Sequence, residues 1–417
     1  MKLQNSADVE LQCTTQSSIQ ETKPEVKTPE DDVHPALNGS LTPPETAERT
    51  RNFSPGPTCL PTAVEEEVKR KCFRQSLTDK ALSTIALSHR SPEFGEILER
   101  TVASTRKVMQ IPPAYKILFM HGGGHGQFAA VPLNLCTSKD DIGTYVLNGT
   151  WSERAANEAR KYCTVTTLGT KMSYPTEEEL EEEVPSNAKF CYVCSNETVD
   201  CIELHRLPKL KVPWVVDASS DFSSKPISWR ESNVGIVFAC ASKNIGHPGV
   251  TIVVVRNDLL DLANPWCPGF LNYTTNIRAR NVWNTIATFN VDVVGIMMDW
   301  IAREGGLQEM EERSITKSKL VYDVIEASNG FYSTRLPGES GIRSRMNVPF
   351  DIARGDEAVT NKFLIEAWNR GIVGLFTKTP FARSRYLRAS LYHGVSVEDA
   401  EVLVKFMEEF CEKNRSA

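Results

Sequence analysis

No stretch of this chain stays apolar for the roughly 20 residues needed to span a bilayer, and its amino terminus lacks the basic-then-apolar layout of a secretory signal. A basic excess is also missing. The 47 Lys and Arg are outnumbered by 53 Asp and Glu, and a net charge of -6 excludes the broad positive surface that nucleic-acid backbones attract. Paired cysteine spacing is absent too: the eleven cysteines, odd in number, read as reduced core residues, and the single Cys191-Tyr-Val-Cys194 reads as strand packing rather than redox or zinc chemistry. The first 50 positions contain no Phe, Tyr or Trp and are rich in Pro, Ser, Thr, Glu and Gln, so they cannot bury enough surface to order themselves. Residues 1–50 are therefore expected to form a disordered tail. Its acids (Asp8, Glu10, Glu21, Glu25, Glu30, Asp31 and Asp32) set it apart from an arginine-rich, acid-poor mitochondrial presequence. Together these absences point to a cytoplasmic protein with no membrane or nucleic-acid partner.

What remains is ample for a large core, with 417 residues, 41% of them hydrophobic and 24% charged. Strand-like and helix-like patterns alternate up to about residue 300, which predicts an α/β fold, a mostly parallel sheet wrapped by helices, over residues 51–306. Residues 309–328 partly follow a helical period in Met310, Ile315, Leu320, Val321, Val324 and Ile325, and join this domain to a smaller α/β domain at 307–417. No internal repeat is present.

Lys243 is the most informative residue. It lies at the junction of two Val- and Ile-rich runs, 234–240 and 250–255, separated by a Gly/Pro turn and too short for helices, so they read as buried strands. Burial disfavours an ammonium, so a lowered pKa and a nucleophilic amine able to form a Schiff base with a carbonyl are expected. A surface turn lysine is the plain alternative. Upstream, Trp214-Val-Val-Asp217 reads as a strand ending in a carboxylate, where open α/β sheets collect ligands and where pyridoxal phosphate sites supply an acidic partner for the ring nitrogen. A helix cap or Asx turn before Ala218-Ser-Ser220 explains the same residue.

The run His121-Gly-Gly-Gly-His125-Gly126-Gln127 follows a strand-like segment, 115–120, and precedes a helix-like one. Glycines let backbone amides approach a phosphate at a helix N-terminus. The spacing fits neither the Walker lysine motif nor the dinucleotide fingerprint. His121 and His125 are not read as zinc ligands, because three glycines disfavour the helix that would align them and no further ligand cluster follows, so no metal is expected.

These segments, taken in order, resemble the phosphoserine aminotransferase family of class V aminotransferases, within the fold-type I pyridoxal phosphate enzymes. The likeness runs from about Asn52 to about Glu412. It is carried by Asn52-Phe-Ser-Pro-Gly-Pro57, Ser88-His-Arg-Ser-Pro-Glu-Phe94, the glycine-rich segment and Asn196-Glu-Thr-Val199. Further along come Asp217-Ala-Ser-Ser220 with Lys225-Pro226, Ser242-Lys-Asn-Ile-Gly246, Asn284-Thr285, Arg343-Ser-Arg-Met-Asn-Val-Pro-Phe350 and Leu387-Arg-Ala-Ser-Leu-Tyr392.

The resemblance implies Lys243 as the Schiff-base lysine and Asp217 as the partner of the pyridine nitrogen of pyridoxal 5'-phosphate. Trp151 would stack on the ring and Thr198 would bond its phenolic oxygen. The backbone of Gly124 and His125, with Ser242, would cradle the phosphate, completed by Asn284 and Thr285 from a neighbouring subunit, so a homodimer with shared active sites is implied. Arg388 would bind the substrate α-carboxylate through its planar fork, and His89 and Arg90 would meet the distal phosphate or carboxylate. Taken singly, Trp151 is also an ordinary core aromatic, Thr198 a strand residue, Asn284-Thr285 a helix cap and each arginine a surface charge.

One departure concerns the substrate. The family's Lys-Gly-His-Arg followed by two glycines is absent; counted from Leu375, its His-Arg pair falls on Lys378-Thr379, and the 376–386 loop is about three residues longer. Lys378, Arg383 and Arg385 offer replacement charge from new positions, with different geometry. Ser242 replaces a common Gln, Ile286-Ala287 replaces a Pro-rich continuation, and the stretch before Ser88 lacks a family glycine. The implied activity is O-phospho-L-serine:2-oxoglutarate transamination in serine biosynthesis. The alternatives are a paralogue using an unphosphorylated amino or keto acid and a non-catalytic binding protein on the same fold.

Overall fold

Continuous runs of Val, Ile and Phe have no polar face, so as strands they are stable only where both sides are covered. The computed structural model puts them at the heart of a seven-stranded sheet. It describes residues 34–38, 40–73, 82–376 and 386–415. The strands are β1 (Tyr115–Met120), β2 (Ile142–Val146), β3 (Thr164–Leu168), β4 (Phe190–Cys194), β5 (Trp214–Asp217), β6 (Val234–Cys240) and β7 (Thr251–Arg256). Their spatial order is β1-β7-β6-β5-β4-β2-β3. β7 runs antiparallel to both neighbours and the other pairings are parallel, so the expected mostly parallel α/β sheet is present.

The helices are α1 (Thr62–Cys72), α2 (Pro92–Val108), α3 (Gly123–Leu135), α4 (Thr150–Ala159), α5 (Glu177–Glu183), α6 (Tyr273–Arg278), α7 (Thr288–Arg303), α8 (Gly306–Ala327), α9 (Glu357–Asn369) and α10 (Val397–Asn414). Strand alternation splits the core in two. Ile252 and Val254 face one cluster with Phe94 of α2 and Ile296 of α7, whereas Val253 and Val255 face another with Phe128 of α3 and Ala155 of α4. The α2–α7 crossing is tight enough to require glycine: a Cβ at Gly295 would stand 2.4 Å from Thr101 Oγ1. α2 starts where its sequence says it should, with Ser91 Oγ accepting the Phe94 N–H at 3.3 Å and Pro92 in the first turn.

A third core gathers residues between Val321 and Cys411 around a small antiparallel sheet of β8 (Tyr332–Ser333), β9 (Asn347–Ile352) and β10 (Leu387–Ser390). Phe53 belongs to this core although it lies far upstream. The short strand Arg51–Asn52 pairs in parallel with Ile372–Val373, which brings it there. The expected tail of residues 1–50 therefore needs correcting in its last part. Pro35–Asn38 forms a 3-10 turn with Ala36 buried and Leu37 packed on the third core, and Arg49 pairs with Asp399 at 3.4 Å. Among the described residues, no helix is long and apolar enough to cross a membrane.

The loop after β10 is fastened from behind and in front. Buried Lys317 of α8 donates to the carbonyls of Leu391 (2.8 Å), Tyr392 (3.0 Å) and Val395 (2.8 Å), one for each ammonium proton. On the other side the His393 N–H donates to Asn244 Oδ1 at 3.2 Å, next to Lys243, and His393 Nε2 lies 3.1 Å from Ser223 Oγ. Replacing Lys317 with Met takes a donor from all three carbonyls, of which Tyr392 keeps the Val395 N–H at 2.9 Å, so Lys317→Met should destabilise the fold by about 2–4 kcal/mol, read from the urea midpoint at unchanged m-value.

Burial, with smaller contributions from Lys317 and Arg313, depresses the His393 imidazole to about 3. The unfolded ring takes its proton near pH 6.5 and the folded one only near 3, so stability present above 6.5 is lost as pH falls through that window. Between pH 7 and pH 4.5 the native chain should lose about 2–3 kcal/mol more than His393→Gln, measured by urea unfolding at both pH values.

Candidate active site

The β6–β7 connection carries Lys243 into a cavity of about 320 Å³ at the carboxyl ends of the parallel strands. Eight of the expected site residues line it: Gly124, His125, Trp151, Thr198, Asp217, Ser242, Lys243 and Arg388. Lys243 Nζ donates to Thr198 Oγ1 at 3.2 Å and lies 6.0 Å from the centroid of the Trp151 ring. Thr198 also binds Arg388, whose Nη1 donates to its carbonyl oxygen, so one residue locates both cations.

Asp217 ends β5 and is buried. Its Oδ1 accepts the Ser219 N–H at 2.9 Å and its Oδ2 the Tyr192 hydroxyl at 3.2 Å, so the Asx-turn reading and the ligand-facing reading describe the same side chain. Burial pushes its carboxyl up, against the Ser219 and Tyr192 hydrogen bonds and Lys243, which pull it down. The outcome for Lys243 differs from expectation. Burial alone works against the ammonium, but the neighbouring acidic groups Tyr392, Cys240, Asp217 and Cys194 outweigh it and hold the pKa above the ordinary lysine value. The apolar flanking strands announced a dry crevice, whereas three of the four acidic groups that share it, Tyr392, Asp217 and Cys194, come from other elements.

The glycine-rich run turns as expected. Gly122 caps α3 in the left-handed region at φ 93°, and a Cβ on Gly126 would crowd the His121 carbonyl oxygen at 3.1 Å. The Gly124 N–H points into the cavity side, where it donates to Cys240 Sγ at 2.9 Å. Cys240 was not singled out in the sequence, yet its sulfur also takes the Ser219 hydroxyl at 3.4 Å.

Trp151 opens α4, and here the structure adds residues that motif reading missed. Buried Glu197 accepts the N–H groups of Trp151 (2.9 Å) and Ser152 (2.7 Å), while Asp200 accepts that of Thr150 (2.7 Å) and pairs with Lys171 at 2.9 Å. Burial pushes the Glu197 carboxyl up to about 7, against the pull of those helix amides. Gly149 makes room for it, since a Cβ there would come within 2.5 Å of Glu197 Cδ. The signal was present: a carboxylate one residue from Thr198, three residues after the end of the apolar strand β4. Arg154, three residues beyond Trp151, also lines the cavity, with its guanidinium carbon 5.0 Å from the Trp151 ring centroid.

A turn from the chain's upstream end closes the other side. Thr58 donates through its N–H to the Ser242 carbonyl (3.2 Å) and through Oγ1 to the Lys243 carbonyl (3.0 Å). Gly56, at φ 119°, sits where a Cβ would meet Lys243 Cγ at 3.3 Å, and the Tyr392 hydroxyl donates to the Pro55 carbonyl at 3.2 Å. Lys225 has a purely structural place beneath β5, buried between Glu203 (2.5 Å) and Asp221 (2.8 Å).

Four expected site residues are not brought to this chain's cavity. Asn284 is half-buried and Thr285 exposed, with the Thr285 carbonyl 3.0 Å from His121 Nε2; His89 is half-buried and Arg90 exposed just before α2. Lys378, Arg383 and Arg385 lie outside the described residues. Among the described residues no group of three or more His, Cys, Asp or Glu could hold a metal ion.

Known proteins match the chain over most of its length. Residues 51–403 match the family model described as aminotransferase class-V. The chain is 38% identical over 371 residues to the phosphoserine aminotransferase of Drosophila melanogaster, covering 88% of this chain and 99% of that protein. For that of Burkholderia vietnamiensis the identity is 37%, over 87% and 98%. Among solved structures, the phosphoserine aminotransferase from Bacillus circulans subsp. alkalophilus superposes with a TM-score of 0.81 at 31% identity, covering 88% of this chain and 99% of that one. The PLP-bound enzyme from Trichomonas vaginalis gives 0.78 at 30% identity, covering 86% and 100%. A strand-end carboxylate, a hairpin lysine and a matching fold across nearly the whole length of these relatives lead to one placement: the chain belongs to the class-V aminotransferases, in the phosphoserine aminotransferase family.

Proposed function

We propose that this chain is a pyridoxal 5'-phosphate-dependent aminotransferase acting on O-phospho-L-serine and 2-oxoglutarate. The observation that carries the reading is the convergence of the Lys243 amine, the buried Asp217 carboxylate and the Trp151 indole on one cavity. These residues fit the cofactor. Asp217, raised by burial, is better off opposite a cationic ring nitrogen than facing hydrocarbon, and Trp151 offers a flat face with its buried Nε1 unpartnered in the protein. Lys243 would bond the aldehyde, Thr198 Oγ1 the phenolic oxygen, and the α3 amides at Gly124 and His125 with Ser242 the phosphate.

When bound, the cofactor supplies a carbonyl to carry the amino group and a ring that accepts electron density from the substrate. The chain does the rest. Arg388, with its Nε buried and unpartnered, orients the substrate α-carboxylate. Lys243 Nζ takes and returns the proton at the substrate Cα, and Thr198 keeps that nitrogen in place. Asp217 holds the proton on the ring nitrogen, and the turn at Gly56 keeps water from the lysine stem.

Asn284 and Thr285 are assigned to a second subunit's cavity, in a cytoplasmic homodimer, and His89 and Arg90 to the distal phosphate or carboxylate of the substrate. The position of Asn284 and Thr285 outside this chain's own cavity supports the subunit assignment, as does the exposed Trp283 next to Asn284.

Lys243→Ala with excess cofactor should lose turnover by roughly 10⁴-fold or more, together with the visible absorbance of lysine-bound cofactor. Undiminished amino-group exchange in that variant would sink the assignment. Steady-state assays of the native enzyme should show kcat/KM for phosphoserine exceeding that for serine by about a hundredfold or more. Equal use of the two would transfer the reading to a paralogue of unphosphorylated amino acids.

A further inference from the structure

A carboxylate taken out of water is usually paired with a cation or kept protonated. Glu197 is fully buried, and what opposes the cost of its burial is hydrogen bonding from two helix amides, the Ser152 N–H on Oε1 (2.7 Å) and the Trp151 N–H on Oε2 (2.9 Å). Its backbone has a second task. It belongs to a short hairpin in which Asn196 and Glu197 pair with Glu203 and Ile202, and the Glu197 carbonyl accepts the Cys201 N–H at 2.6 Å. The turn closed in this way carries Thr198. One residue therefore fixes through its backbone the hydroxyl assigned to the cofactor's phenolic oxygen, and through its side chain the indole assigned to the cofactor's face.

Protonation changes that grip. An ionised carboxylate offers two equivalent acceptors, whereas the neutral acid offers its carbonyl oxygen and a hydroxyl that accepts weakly. One of the two α4 amides is then poorly satisfied in a place with little access to water. Burial, followed by the negative charge of Asp200, pushes the Glu197 carboxyl up to about 7 against the pull of the amides. Asp200 is itself held by the Thr150 N–H at 2.7 Å and by Lys171 at 2.9 Å. Cys194, Tyr174 and Tyr192 also face Glu197, and burial holds all three protonated through the neutral range. The cations Lys243 and Arg388 stand one residue away, on Thr198.

We infer that Glu197 is a positioning residue whose ionised carboxylate clamps the Trp151 indole and the Thr198 hydroxyl onto the cofactor, so that taking up a proton there loosens pyridoxal phosphate. This rests on the aminotransferase reading above and adds to it a residue that governs cofactor retention from behind the residues assigned to touch the cofactor. The competing account is a helix cap and nothing more, which would lower stability without any coupling to the cofactor.

The test is the dissociation constant of pyridoxal phosphate, by equilibrium dialysis of the full-length holoenzyme between about pH 5.5 and about pH 8.5, for the native protein, Glu197→Gln and Asp200→Asn. At the alkaline end Glu197→Gln, which has the shape of the neutral acid, should hold the cofactor about tenfold less tightly than native. At the acid end the two should converge, because native Glu197 is then protonated as well. A tenfold coupling also requires the bound cofactor to lower the Glu197 pKa by about one unit, so the convergence should fall between about pH 7 and about pH 6. Titration of the cofactor itself is common to both proteins and cancels in their ratio. Asp200→Asn keeps an acceptor for the Thr150 N–H but removes a charge that raises Glu197, so its affinity should start to fall at a lower pH than that of the native protein. A Glu197→Gln-to-native ratio that stays constant across the range, or one within about twofold at the alkaline end, overturns the inference, as does an Asp200→Asn curve coincident with the native one. The Asp200→Asn comparison decides alone if a thermal melt shows Glu197→Gln to be unfolded. Native protein that binds no pyridoxal phosphate at Lys243 overturns the aminotransferase reading itself.

Discussion

The amino end of α4 is where this structure concentrates its electrostatics, because two carboxylates from one short segment meet three helix amides there. Glu197 and Asp200 take the N–H groups of Thr150, Trp151 and Ser152, so the positive pole of the helix is satisfied by groups that water does not reach freely. The arrangement is costly for Glu197, whose carboxyl is pushed up by burial, and it persists because leaving those amides unpaired would cost comparably. Thr198 lies between the two acids. Its side chain therefore reaches Lys243 and its carbonyl reaches Arg388 from a backbone that cannot shift without breaking the helix cap.

The reactive lysine is held from several directions by elements far apart in sequence. Thr58 grips the backbone on both sides of it, Asn244 ties the next residue to His393, and Lys317 fastens the loop that carries His393 and Tyr392. Each contact is an ordinary hydrogen bond. Their combined effect is to fix a long, flexible side chain whose rotamer entropy would otherwise oppose any single geometry. The acids that raise the Lys243 pKa belong to β4, β5, β6 and the loop after β10, so the electrostatic state of the amine is a property of the assembled crevice.

That explains which parts of the site were legible in the amino-acid sequence. Asp217, Lys243 and the Gly122–Gly126 turn depend on local rules: where a strand ends, where a hairpin turns, and where only glycine fits. Their placement could be read from neighbours along the chain. The Lys243 pKa could not, because the expectation used only the flanking strands. Glu197 and Arg154 were hidden for a similar reason, as a buried carboxylate and a half-buried guanidinium gain their meaning from a helix end more than 40 residues away in one case and from an indole face in the other. The tail was misjudged at its inner end because composition reports what a segment can bury by itself. It does not report a core made elsewhere on which Leu37 packs.

The parallel pairing of Arg51–Asn52 with Ile372–Val373 has a bearing on how the protein is made. As the polypeptide leaves the ribosome, Arg51 and Asn52 emerge early but lack this pairing until about 320 more residues have been polymerised, an interval of roughly 15–60 s at common elongation rates. Throughout that time Phe53 lacks the core it will enter, and the cavity lacks Arg388. Completion of the catalytic crevice is thus a late, post-synthetic event, and nascent fragments that stop short of β10 remain without it.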